Sequence, residues 1–152
     1  MSVNITPLRA PAFGFTLIEV LVAVLILAIG LLGLAELQVV GLRNNHNAYL
    51  RSQAILLAYD IAERMRANPV GLSSGAYLGT ATSDDCEAST CTPQQMAGYD
   101  LRQWLDAVAT AQLPSSSANI TAGGAIYSIV ISWSELEYGV LTTKTFTTSF
   151  QP

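Results

Sequence analysis

Apolar positions along the chain fall into three regimes. From Phe15 to Ala35 they are nearly continuous: 17 of 21 residues are apolar, and the exceptions are Thr16, Glu19, Gly30 and Gly33. About 20 apolar residues in a helix cross a hydrocarbon core of about 30 Å, so this run predicts a helix just long enough to span a membrane. From Glu36 to Asn68 the pattern thins to a stripe. Leu50, Ala54, Leu57, Ile61 and Met65 recur at three and four residues, which predicts an amphipathic helix with one buried face. Asn68-Pro69 is the stop, because the residue before a proline is pushed away from helical angles. One helix from Phe15 to Asn68 would be about 80 Å long.

The third regime is shorter-ranged. Val70 to Gly98 is rich in Gly, Ser, Thr and Ala and predicts a long surface loop. Pro93 to Leu113 turns helical, with Met96, Leu101, Trp104, Leu105 and Val108 on an apolar face, and Pro114 with Ser115 to Ser117 ends it. Ala118 to Ala122, a Gly123-Gly124 turn and Ala125 to Ser134 predict a hairpin. In its second strand Tyr127, Ile129, Ile131 and Trp133 share one side, and Ser128 and Ser132 the other. After a turn around Glu135 to Gly139, the threonine-rich Val140 to Phe150 predicts a further strand. The fold class expected is α+β, a long N-terminal helix with a hydrophobic first half, backed by a small C-terminal antiparallel sheet. The expected divisions are a leader over 1–14, the membrane-grade segment over 15–35, the amphipathic segment over 36–68 and a globular head over 69–152.

Length and composition narrow the class. The chain has 152 residues and room for one modest domain. Its mean hydropathy of +0.39 is concentrated in the 15–35 run, and the remainder has an ordinary globular share of apolar residues. A polytopic membrane protein, a disordered chain and a fully soluble enzyme of ordinary composition are excluded. Seven basic residues stand against 11 acidic ones, so no global positive field draws nucleic acid, and direct nucleic-acid binding is not expected.

Candidate chemistry is sparse. Cys86 and Cys91 lie in one polar loop, with a spacing that suits a small disulfide in an oxidising compartment and not a two-residue redox or zinc spacing. Closing so short a loop stabilises by roughly 2 kcal/mol in the chain-entropy model, enough to pin a loop and too little to replace a core. Asp84, Asp85 and Glu87 lack the spacing of a calcium loop. The lone His46 sits in polar helix, and no set of Cys, His and carboxylate converges for zinc. No nucleophile, base and oxyanion arrangement is visible, so no metal, cofactor or catalytic residue is expected and the chain does not read as an enzyme. Asp60, Glu63, Arg64 and Arg66 fall on successive helical turns, where they can pair locally for a few tenths of a kcal/mol each or face a neighbouring subunit. Gly30, Gly33 and Gly41 each weaken a helix by roughly 1 kcal/mol relative to alanine. They serve either close helix packing in lipid or a segment that stretches.

Glu19 is the anomaly within the apolar run. A carboxylate near the bilayer centre costs roughly 2.5 to 3.5 kcal/mol, less near an end. It either reaches the interface, being five residues from the polar leader, or finds a cation. Cleavage after Gly14 would create one, the new amine of Phe15, which a neighbouring parallel helix with a small offset could present to Glu19.

Gly14-Phe15-Thr16-Leu17-Ile18-Glu19-Val20 resembles the processing site of type IV pilins and pseudopilins. It has the glycine before the cut, the phenylalanine after it and a glutamate as fifth mature residue. The resemblance implies cleavage between Gly14 and Phe15 by prepilin peptidase, N-methylation of Phe15 and an assembly role for Glu19 through an inter-subunit salt bridge. The leader departs from the pattern in being weakly basic, with Arg9 alone. Further stretches, Gly30 to Leu34, Leu42 to Asn45, Ala48 to Ala54 and Ala58 to Pro69, are similar to the PilV minor pilins. That similarity implies the type IV pilin fold and a minor pilin working with other minor pilins, the major pilin and an inner-membrane assembly platform. It implies membrane lipid as surroundings before assembly, and a tip complex supporting adhesion, twitching motility or DNA uptake. Arg43 and Arg51 follow the span, so basic residues alone do not orient it. A cytoplasmic N-terminus and a periplasmic head are implied by the family. A type II secretion pseudopilin and, from another class, a single-span periplasmic thiol oxidoreductase using Cys86 and Cys91 are the alternatives.

Overall fold

The computed structural model describes residues 14–137 and 139–152. The leader up to Phe13, including Arg9, lies outside the described residues. The chain divides into two compact units, residues 1–43 and 44–152. The first helix, α1, runs Leu17–Ala67 and contributes to both.

In the first unit the helix is bare: every residue from Gly14 to Arg43 is exposed. Phe15, Leu17 and Leu32 expose 84%, 80% and 72% of their surface, an arrangement water penalises at about 25 cal/mol per Å². This is the one helix among the described residues that is long and apolar enough to cross a membrane by length and composition. Gly30, Gly33 and Gly41 interrupt neither the helix nor any contact within the chain.

In the second unit the predicted stripe is the core face. Leu50, Ala54, Ala58, Ile61, Ala62 and Met65 are buried, with Leu57 packed at the margin. Helix α1 ends one residue before the expected stop, at Ala67. Asn68 then caps a short helix α2, Pro69–Ser73, accepting from the Gly71 amide at 3.0 Å. A 3-10 turn follows at Ala76–Leu78. The second long helix, α3, occupies Pro93–Thr110 and starts with a reciprocal cap. Thr92 Oγ1 accepts from the Gln95 amide and Gln95 Oε1 accepts from the Thr92 amide, satisfying two donors that a helix start otherwise strands.

Three antiparallel strands complete the head in the order β1 (Ser117–Gly123), β2 (Ile126–Glu137), β3 (Val140–Phe150). The pairs Gly123↔Ile126 and Glu137↔Val140 each leave two residues for the turn. Gly124 at φ +63° and Gly139 at φ +85° adopt backbone angles that L side chains resist. The inner face of β2, Tyr127, Ile129, Ile131 and Trp133, joins the α1 stripe and Leu101, Trp104 and Val108 of α3 in one hydrophobic cluster. Trp104 Nε1 donates to the Leu57 carbonyl at 2.9 Å, and Tyr127 Oη to the Leu72 carbonyl at 2.7 Å. Both polar tips of buried aromatics are thereby satisfied.

Four expectations need correction. The 70–98 segment is not a plain surface loop, since it contains α2 and the 3-10 turn and buries Leu72 and Tyr77 to 2% and 1% exposure. Leu105 is exposed, because Ala97 takes part in the buried face of α3 instead. The first hairpin turn falls at Gly124-Ala125, one residue later than expected, with Gly123 still paired. Strand β2 continues through Glu135 to Glu137, because Trp133 and Glu135 remain on the buried face.

Candidate functional site

The first site is the beginning of α1. Thr16 accepts from the Glu19 amide with its carbonyl at 3.1 Å and with Oγ1 at 3.3 Å. Thr16 therefore acts as the helix cap, three residues ahead of an acid, as a capping box requires. The return arm of the box is not made. Among the described residues the Glu19 carboxylate accepts no hydrogen bond, which leaves it available to a partner in an apolar setting. It stands in the first turn of the helix. Thr16 is a functional residue that apolar periodicity does not mark, and T-x-x-E ahead of an apolar run is the signal that does. Gly14 and Phe15 precede the helix, exposed and without regular secondary structure.

The second is a polar clamp at the far end of α1. Arg64 Nε bonds Asp60 Oδ2 at 3.0 Å, while its Nη1 reaches Gln103 Oε1 at 2.8 Å and Asp100 Oδ1 at 3.3 Å. Asp100 is only 6% exposed, and its other oxygen accepts from Tyr77 Oη at 2.6 Å. Asn68 Nδ2 adds a bond to the Pro93 carbonyl at 2.7 Å. These contacts tie α1, the 3-10 turn and α3 together. Burial, reinforced by the bond to Asp100, raises the Tyr77 pKa far above that of a free phenol. Burial works against the charge of Arg64, but Asp60 and Asp100 outweigh it and the guanidinium is held more firmly protonated than usual. Arg66 pairs with Glu63 and lies over the Phe150 ring at 4.7 Å. The four charged residues of this stretch thus pair within the chain, with Asp100 recruited from α3.

The third is the acidic loop. Cys86 and Cys91 are joined in a disulfide with Cα atoms 5.4 Å apart. The neighbouring acids are engaged as hydrogen-bond acceptors. Asp85 Oδ1 takes the amides of Glu87 and Ala88, Asp84 Oδ2 takes Thr82 Oγ1, and Glu87 Oε1 takes Tyr99 Oη at 2.7 Å. The bond to Glu87 raises the Tyr99 pKa. Arg102 Nη2 reaches the Asp84 carbonyl and its guanidinium lies 5.1 Å from the Tyr99 ring centre. The loop is thereby fastened to α3. His46 is exposed on α1, and among the described residues no group of three His, Cys, Asp or Glu is placed to hold a metal ion.

The first unit is thus a bare helix long and apolar enough to cross a membrane, with Glu19 in its first turn, and the second is a small α+β head. The comparisons with known proteins sharpen this description. The model of the prokaryotic N-terminal methylation motif matches residues 9–35, and that of the type IV pilin Tt1218 matches residues 36–102. The two matches adjoin, and the chain belongs to the type IV pilin superfamily. Searches of curated proteins and of solved structures found no match.

Proposed function

We propose that this chain is a minor type IV pilin of the PilV kind, whose work is assembly and not catalysis. Prepilin peptidase cuts after Gly14, Phe15 becomes the methylated N-terminus, and the mature chain joins other minor pilins in a complex that primes or caps the filament. The observation that carries the reading is the methylation-motif match over residues 9–35, which contains the cut, Phe15, Glu19 and the whole apolar run.

The physical chemistry supports the same sequence of events. Before assembly, lipid solvates the exposed apolar side chains of residues 15–35, with the N-terminus cytoplasmic and the head periplasmic. In the filament, helices of neighbouring subunits replace the lipid. The uncapped Glu19 carboxylate meets the Phe15 amine of another subunit. Leaving a desolvated carboxylate unpaired costs several kcal/mol, more than the pair contributes, so the interaction penalises wrong register more than it adds stability.

Intact mass and N-terminal sequence of the purified mature protein test the reading. A chain beginning at methylated Phe15 is expected, and a chain retaining residues 1–14 overturns it. Co-purification with pilus minor pilins is expected. Recovery with secretion pseudopilins instead would move the chain to a type II secretion system.

A further inference from the structure

A cavity of about 440 Å³ lies within the head, where the first turns of the 44–67 helix face the inner side of β2 and β3. Asn47 and Arg51 line it from the helix, and Trp133, Glu135, Glu137 and Lys144 from the strands. Glu135 is the unusual member. It is only 7% exposed, and its carboxylate has one neutral donor, Trp133 Nε1 on Oε1 at 2.7 Å. No cation among the described residues lies within 4.0 Å of it. Lys144 has another partner, bridging to Glu137 at 2.7 Å, and that bridge holds the Glu137 pKa down. Across the cavity Arg51 has neither a salt bridge nor a hydrogen bond among the described residues, and the Asn47 amide likewise has no bond. One cavity therefore carries both a carboxylate, Glu135, and an exposed guanidinium, Arg51, that are not within 4.0 Å of each other.

Glu135 Oε2 makes no hydrogen bond among the described residues, and since the one buried side-chain polar atom without a partner there is Arg102 Nε, Oε2 opens onto the cavity, where a cationic group can replace water. The hand-off to a ligand follows from the signs. A lone cation would satisfy Glu135 and be repelled by Arg51, and a lone anion would satisfy Arg51 and be repelled by Glu135. A molecule carrying both signs a few bonds apart satisfies both. The guanidinium fork donates to a phosphate or a carboxylate with equally good geometry, and Asn47 adds a neutral donor that lines the same cavity.

We propose that this cavity binds a small zwitterion, its ammonium on Glu135 Oε2 and its phosphate or carboxylate on Arg51 and Asn47. The headgroup of phosphatidylethanolamine and a free aminoalkyl phosphate or amino acid share this chemistry. The proposal stands apart from the assembly reading, since it concerns a site whose residues take no part in processing or in the Glu19 pairing.

The test is calorimetric titration of the full chain, in dodecyl maltoside micelles, with O-phosphoethanolamine. Saturable binding is expected, with ethylamine and inorganic phosphate each binding about ten-fold or more weakly than the joined molecule. Glu135→Gln keeps an acceptor for Trp133 and Arg51→Gln alters only an exposed side chain. Each should weaken binding about ten-fold or more, the loss expected for one charged hydrogen bond. Absence of saturable binding overturns the proposal, as does unchanged affinity in Arg51→Gln, or in Glu135→Gln with an unaltered circular dichroism spectrum. Reconstitution into phosphatidylglycerol nanodiscs with and without phosphatidylethanolamine separates the two sources. Competition by phosphatidylethanolamine assigns the ligand to the bilayer, and its absence assigns the ligand to solution.

Discussion

Tyr77 and Asp100, 23 residues apart in sequence, are joined by a 2.6 Å hydrogen bond from the phenol to Oδ2. Through Arg64 the same carboxylate reaches α1, so one buried acid closes the contact between three elements. Asp100→Ala removes the acceptor that both donors share. A loss of roughly 2–3 kcal/mol is expected, reduced from the figure for a fully buried pair because Arg64 is partly exposed, while Tyr77→Phe should cost about 2 kcal/mol or less. Urea unfolding of the full chain in detergent measures both.

The same bond gives a pH dependence with a definite sign. A phenol titrates near 10 in an unfolded chain, and burial with the Asp100 contact raises the folded value above that. The native state thus keeps a proton that the unfolded state has released. The associated stability is present in full below about pH 10 and is lost as the pH rises from there toward the folded value. Unfolding titrations above about pH 10 should fall less steeply in Tyr77→Phe, although that variant starts from a lower stability. Equal slopes would count against the assignment.

Gly71 is fixed by close approach. A Cβ built there would lie 2.7 Å from the Pro93 carbonyl, which already accepts from Asn68. Gly71→Ala should destabilise by about 1–3 kcal/mol, the usual range for overpacking. A thermal midpoint equal to wild type would show that α2 moves freely to accommodate the methyl group.

Removing the disulfide should have a small effect. Cys86→Ser with Cys91→Ser is expected to cost about 2 kcal/mol at most, because the Glu87–Tyr99 and Thr82–Gly98 contacts still fasten the loop to α3. Hydrogen exchange at the Thr82 amide should stay protected and piliation should be normal. Loss of piliation with the head folded would assign the cysteines a role beyond pinning.

Glu19→Ala should leave membrane insertion intact and reduce incorporation into filaments, read as the ratio of sheared to membrane-bound protein. Helix formation should survive, since the cap depends on Thr16 and on the amide of residue 19 and not on its carboxylate. Wild-type piliation in this variant would remove the pairing idea.

The sequence made the long helix and the third strand legible because each rests on one uniform local pattern: unbroken apolar residues, a stripe at 3.6, and threonines favouring strand. The segment after Asn68 misled because its composition is that of a loop, while tertiary contacts decide its structure. Leu72 and Tyr77 are isolated apolar residues without periodicity, buried where α2 and the 3-10 turn pack on α3. The clamp was half legible. Asp60, Glu63, Arg64 and Arg66 could be paired by helical spacing, but Asp100 comes from 36 residues beyond Arg64, and local spacing does not reveal such a contact. Glu135 opens the expected turn over Glu135 to Gly139, yet it continues the buried face of β2. Its burial is what sets it apart.

The strand order β1-β2-β3 has a consequence for how the head is made. Each pairing joins strands that are neighbours in sequence, so the chain that must be closed to form it is only a two-residue turn. The middle strand, β2, is the one held on both sides, and its inner face meets the apolar stripe of residues 50–65, so the whole sheet takes its register on the core from its middle member.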